Sequence, residues 1–73
     1  MKQELYEMLK AEAVADKNKA LLSLNLLTNH PAGIGDHCTK DYWDNATESL
    51  KLLASAEERL EILEKYFDTK EII

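Results

Sequence analysis

Asn29-His30-Pro31-Ala32-Gly33-Ile34-Gly35-Asp36-His37-Cys38 holds both glycines and the single proline of this 73-residue chain. Pro31 disfavours a helical backbone at His30, and Asn29 suits a helix C-cap. Gly33 and Gly35 tolerate positive φ values that other residues adopt only at a cost. Everywhere else the chain is free of both helix breakers, so this stretch is its one unambiguous break. The fold follows from what lies on either side.

Upstream, residues 2–29 are rich in Ala, Leu, Glu and Lys, the strong helix formers. Leu5, Leu9, Ala13, Ala20, Leu24 and Leu27 recur in steps of three, four and seven, which places them on one helical stripe. Downstream, a second helix is predicted over residues 40–67, starting at Thr39 or Asp41 and ending at Phe67. Its stripe is Trp43, Ala46, Leu50, Leu53, Ala56, Leu60, Leu63 and Phe67. Asp36, Thr39 and Asp41 all suit its N-cap, and Asp41 and Asp44 place negative charge in its first turn. Residues 68–73 form a short tail. The expected architecture is all-α: one domain spanning residues 1–73, an antiparallel two-helix hairpin with its loop over residues 30–39. Ile34 is expected to plug the loop end and Trp43 to close the core beneath it, with one of the adjacent pair Tyr42 and Trp43 left exposed.

A hairpin alone cannot bury all its apolar side chains. Ala20, Leu21, Leu22, Leu24, Leu26 and Leu27 turn by about 100° per residue and so spread around most of the first helix. Leu52, Ile62 and Tyr66 form a flanking set on the second. Chains this short usually need a staple, a metal or oligomerisation, and a lone Cys38 closes no internal disulfide. The expectation is a homodimer forming a four-helix bundle, with Leu21, Leu22, Leu24, Leu26, Leu27, Leu52, Ile62 and Tyr66 as its interface.

Charge narrows the function. Nine basic groups face fourteen acidic ones, a net −5. Residues 1–30 balance at zero, so the whole excess sits downstream. No basic stripe serves phosphates, which argues against nucleic acid and against anionic lipid. The longest unbroken apolar runs are three residues, too short for a signal peptide or a membrane span. A soluble cytoplasmic protein is expected, with a basic-surfaced protein as a possible partner.

His30, Asp36, His37 and Cys38 are ligand-type side chains for a transition metal, with Asp41 nearby. They match no known ligand spacing, and adjacent His37 and Cys38 point apart. In the plainer reading His30 caps the first helix, His37 is solvated and Cys38 is a small apolar residue. A Cys–His nucleophile would need an orienting group and a pocket that a hairpin barely offers. Glu57, Glu58, Glu61 and Glu64 stand beside Arg59 and Lys65 and read as a solvated face, since no Glu-x-x-His di-metal motif is present. No cofactor and no catalytic residue are expected.

The string Asn29-His30-Pro31-Ala32-Gly33-Ile34-Gly35-Asp36-His37, with Thr39-Lys40-Asp41 and Ala54-Ser55-Ala56-Glu57-Glu58-Arg59-Leu60, resembles small proteins of large contractile-tail phages, including marine cyanophages. The likeness covers residues 20–67. It implies a phage origin, expression in a bacterial host cytoplasm, and no particular activity. Where that family has a hydroxyl residue this chain has Cys38, a departure that speaks against a metal or nucleophile role there. Three functions therefore compete. The first is a non-enzymatic self-associating interaction or structural module with an acidic outer face. The second is an acidic nucleic-acid mimic that decoys a host protein, and the third a small metal-binding domain built on the loop.

Overall fold

The computed structural model describes residues 1–29 and 39–68. Helix α1 spans Gln3–Asn29 and helix α2 spans Thr39–Ile62, followed by a π-helical turn over Leu63–Phe67. Among the described residues there is no strand. The two helices pack antiparallel: Tyr42 meets Leu27, Glu57 meets Lys17 and Arg59 meets Asp16. Ile34 and the rest of the 30–38 segment lie outside the described residues, as do residues 69–73 of the tail.

Every part of α1 can hold a helix. It has no internal Gly or Pro, and Glu4 in its first turn complements the dipole there. Gln3 also donates to the Glu7 carboxylate one turn on, at 2.7 Å.

The seam between the helices runs at coiled-coil spacing. From α1 it takes Tyr6, Leu9, Ala13, Asp16, Ala20, Ser23 and Leu27, with Leu24 beside them. From α2 it takes Tyr42, Ala46, Ser49, Leu53, Ala56, Leu60 and Leu63. Both rows step alternately by three and four, the repeat that keeps a stripe facing its partner. Among the described residues the buried apolar core is Tyr6, Ala13, Ala20, Ala56 and Leu63. The three alanines are wholly sealed from solvent. Side chains this small let two backbones come close, and closeness rather than bulk makes this core.

Four expected stripe positions are corrected by that phase. Leu5 is exposed and Tyr6 takes its place, because Tyr6, Ala13 and Ala20 stand seven apart on one line. Leu50 is exposed and Ser49 occupies the seam, seven before Ala56. Trp43, expected to close the core, is 60% exposed. Its neighbour Tyr42 turns inward instead, and its hydroxyl donates to the Leu27 carbonyl at 3.0 Å. Leu27 lies in the last turn of α1, where four carbonyls have no acceptor role inside the helix. A tyrosine from the opposite helix thus serves one orphan acceptor, and the hydroxyl explains why Tyr42 was drawn in rather than Trp43. Thr28 folds back onto the Leu24 carbonyl at 2.8 Å.

The fourth correction is at the far end. Regular α-helix stops at Ile62, short of the expected Phe67. The wider π turn holds more than four residues, so Phe67 no longer falls below Leu63. Leu63 stays buried while Phe67 is exposed, resting edge-on against Tyr66 at 6.5 Å between ring centres. Asp68 then leaves the helix with extended backbone. At the start of α2, Thr39 is already helical, so Asp41 lies within the first turn rather than at the cap.

The exchange of Tyr42 for Trp43 is testable. Tyr42→Phe should lose about 1 kcal/mol, the worth of one part-buried hydrogen bond. Trp43→Ala should stay within about 0.5 kcal/mol in the hairpin. Thermal melts ordering the two variants the other way would contradict this capping role.

Candidate functional site

Among the described residues no group of three His, Cys, Asp or Glu could hold a metal. The metal candidates His30, Asp36, His37 and Cys38 lie outside the described residues, and Asp41 is an exposed first-turn residue of α2. The concave features are open. One groove of about 680 Å³ is lined by Lys17, Ala54, Glu57, Glu58 and Glu61 among others. A second, of about 340 Å³, lies between Ser23, Leu26, Asn45 and Glu48.

Part of the surface charge is paired. Lys40 meets Asp44 at 2.8 Å, Lys51 meets Glu48 at 3.7 Å, and Lys17 reaches across to Glu57 at 3.3 Å. Glu57, Glu58, Glu61 and Glu64 are exposed, as a solvated face should be. Arg59 departs from that face. Its Nη2 donates to Asp16 Oδ2 at 2.8 Å across the seam, and its Nε donates to Ser55 Oγ at 3.2 Å. Asp16 stands at a core heptad position where an apolar residue would be ordinary. A charged pair there costs solvation, but it permits one alignment of the helices, as polar core residues do in coiled coils. Spacing alone could have placed Asp16 on the seam, since it sits midway between Leu9 and Ser23 on the stripe. Nothing in the sequence named Arg59 as its mate. Asp16→Ala should lower stability by about 1 kcal/mol, some 4–8 °C in melting temperature for a chain of this size. The loss should shrink in high salt, and a melt unchanged at low salt would refute the pairing.

The conspicuous surface is the back of α1. Viewed down its axis, residues opposite the seam are Met8, Ala11, Ala15, Asn18 and Leu22, in steps of three and four, and Leu26 continues the row at its edge, where it also lines the groove toward Asn45 and Glu48. All six are exposed, Met8, Leu22 and Leu26 by more than half. From Met8 to Leu26 this arc holds no charged residue, in a chain where 32% of residues are charged. The back of α2 is its opposite: Lys40, Asp44, Lys51, Glu58 and Lys65 line it. Helix α1 is thus apolar on two sides and α2 on one.

The eight expected interface residues divide accordingly. Leu22 and Leu26 lie on the back of α1. Leu24, Leu27 and Leu52 are half-buried, with Leu24 and Leu27 turned toward the seam. Leu21 is exposed on a flank. Ile62 and Tyr66 are exposed on the other flank at the open end. Met8, Ala11 and Ala15 were missed by the sequence reading, though the same spacing rule would have found them. No described helix is long and apolar enough to cross a membrane.

No family model, no curated protein and no solved structure matches this chain. The surfaces above carry the functional argument.

Proposed function

We propose that the protein is a non-enzymatic interaction or structural module that self-associates through apolar helix faces and presents an acidic outer surface. One observation carries the reading: the uncharged, exposed arc of Met8, Ala11, Ala15, Leu22 and Leu26 on the back of α1. An apolar stripe at helix-packing spacing, bordered by polar residues, is how an interface announces itself on a soluble surface. The thinness of the core supports it. Among the described residues no large side chain is fully buried, and three of the five core residues are alanines. Such a hairpin contributes little hydrophobic stabilisation by itself, and association supplies the missing burial.

In the assembled form α1 lies inside and α2 outside, so the groups meeting solvent are those of the acidic half of the chain. A partner with a basic surface suits that exterior. A decoy for nucleic-acid-binding proteins is a weaker reading, because Lys51, Arg59 and Lys65 interrupt the acidic row and Asp44, Glu48 and Glu57 are each joined to lysine. The test is solution mass at micromolar concentration by sedimentation. A species of twice 8.3 kDa or more is expected, and a lone 8.3 kDa species at every concentration would end the proposal.

A further inference from the structure

We infer that the occupant of the α1 arc is the same arc of a second copy, running antiparallel about a two-fold axis between Ala15 and Asp16. This deepens the proposed self-association and rests on it. Three features of the face select that geometry.

The first is its shape. Ala15 and Asn18 stand at its middle, Ala11 lies one turn in from Met8, and the long side chains Met8, Leu22 and Leu26 lie toward its ends. Small residues at the centre let two helices approach to the 8–10 Å typical of packed pairs. With the axis beside Ala15, Met8 of one chain falls level with the gap between Leu22 and Leu26 of the other. Ala15 falls beside its own copy. Long side chains then meet at both ends, and Ala11 falls level with the gap between Asn18 and Leu22 of the other chain.

The second is charge. Glu12 and Lys19 border the arc on the same flank, and they stand equally far from the proposed axis. Antiparallel pairing therefore sets Glu12 opposite Lys19 of the second copy, twice per dimer. The Lys19 side chain is 72% exposed and holds Asp16 only by a long ion pair of 3.9 Å, a contact that Glu12 of a second copy can share. Parallel pairing would carry the two copies of this flank to opposite sides of the contact, so Glu12 and Lys19 would not meet each other across it. Helix dipoles favour the antiparallel arrangement as well.

The third is closure. A face that matches itself about a two-fold axis is satisfied by one partner and leaves nothing to polymerise. Four helices result, the two copies of α1 at the centre and the charged backs of α2 outermost.

Cysteine cross-linking of the full chain in a Cys38→Ser background tests this. Under mild oxidation Ala15→Cys should link to itself, since the two sites nearly coincide along the axis. Leu22→Cys alone should not link, because its two copies would lie about 20 Å apart along the helix at 1.5 Å per residue. An equimolar mixture of Met8→Cys and Leu22→Cys chains should give the mixed disulfide. Circular dichroism confirms that each variant is helical, and sedimentation of the unmodified chain runs alongside. Self-linking of Leu22→Cys as readily as Ala15→Cys means a parallel pair and overturns the inference. No linking in a chain that sediments as a dimer means another face and overturns it too, leaving self-association intact. A chain that sediments only at 8.3 kDa removes both.

Discussion

Ala20→Leu is expected to lower the unfolding free energy by about 1–3 kcal/mol, the usual cost of forcing extra methylenes into a filled contact. Ala20 is wholly buried where α1 and α2 approach each other. Leucine is nearly as good a helix former as alanine, so propensity cannot account for a loss. The cost comes from separation: two backbones held close by Ala13, Ala20 and Ala56 must part, and the neighbouring contacts open with them. Ala54→Leu supplies the control, because Ala54 is exposed on the outer side of α2. That change should stay within about 0.5 kcal/mol. Chemical denaturation of both variants at one protein concentration decides the matter. Equal midpoints would mean that the alanines do not set the helix separation.

Leu22→Lys carries the other large effect. In an isolated hairpin Leu22 is 60% exposed, so exchanging it for lysine should shift stability by no more than about 0.5 kcal/mol. In the assembly proposed above, two leucines per dimer leave a dry contact, each contributing about 1.5–3 kcal/mol of burial. Two charges enter where the arc has none. Association should weaken by about 100-fold or more. A dimer's melting temperature also rises with protein concentration by mass action, whereas that of a monomer does not. The parent chain should therefore melt higher when concentrated, and the lysine variant should melt lower with no such dependence. Leu50→Lys, on a flank away from the arc, should retain the parent's behaviour. If the parent melts at one temperature over about a hundredfold range of concentration, the arc is ordinary surface.

Both effects depend on details of phase that differ in how readily residues disclose them. The two helices and the break between them were legible at once. Helix formers without Gly or Pro fill residues 3–29, and Pro31 with two glycines can only interrupt. The excess of leucine around α1 was legible too, since six apolar residues spaced from 20 to 27 cannot share one face. The α1 boundary was foreseen to within a residue.

The choice among candidate stripes was not. Leu5 and Tyr6, Leu50 and Ser49, Trp43 and Tyr42 are adjacent pairs, each offering two phases 100° apart, and apolarity favoured the wrong member every time. Packing chose by other means. The alanines took the seam because close approach of two helices rewards small side chains, so their seven-residue line brought in Tyr6 and Ser49 and put Leu5 and Leu50 outside. The orphan carbonyl of Leu27 needed a donor, which Tyr42 carries and in that position Trp43 does not.

Composition and periodicity by themselves determined an acidic helical hairpin with more apolar surface than one contact can cover, because helix propensity and a 3.6-residue period are local properties of the chain. The tertiary structure alone decided which side of each helix is the inside, that Asp16 and Arg59 meet in the seam, and that the leftover apolar surface forms one uncharged arc on the back of α1. The remaining exposed apolar residues, Leu21, Leu50, Trp43, Ile62 and Tyr66 among them, lie on the flanks outside that arc. These outcomes depend on the distance and rotation between two helices, quantities that exist only once the helices have met.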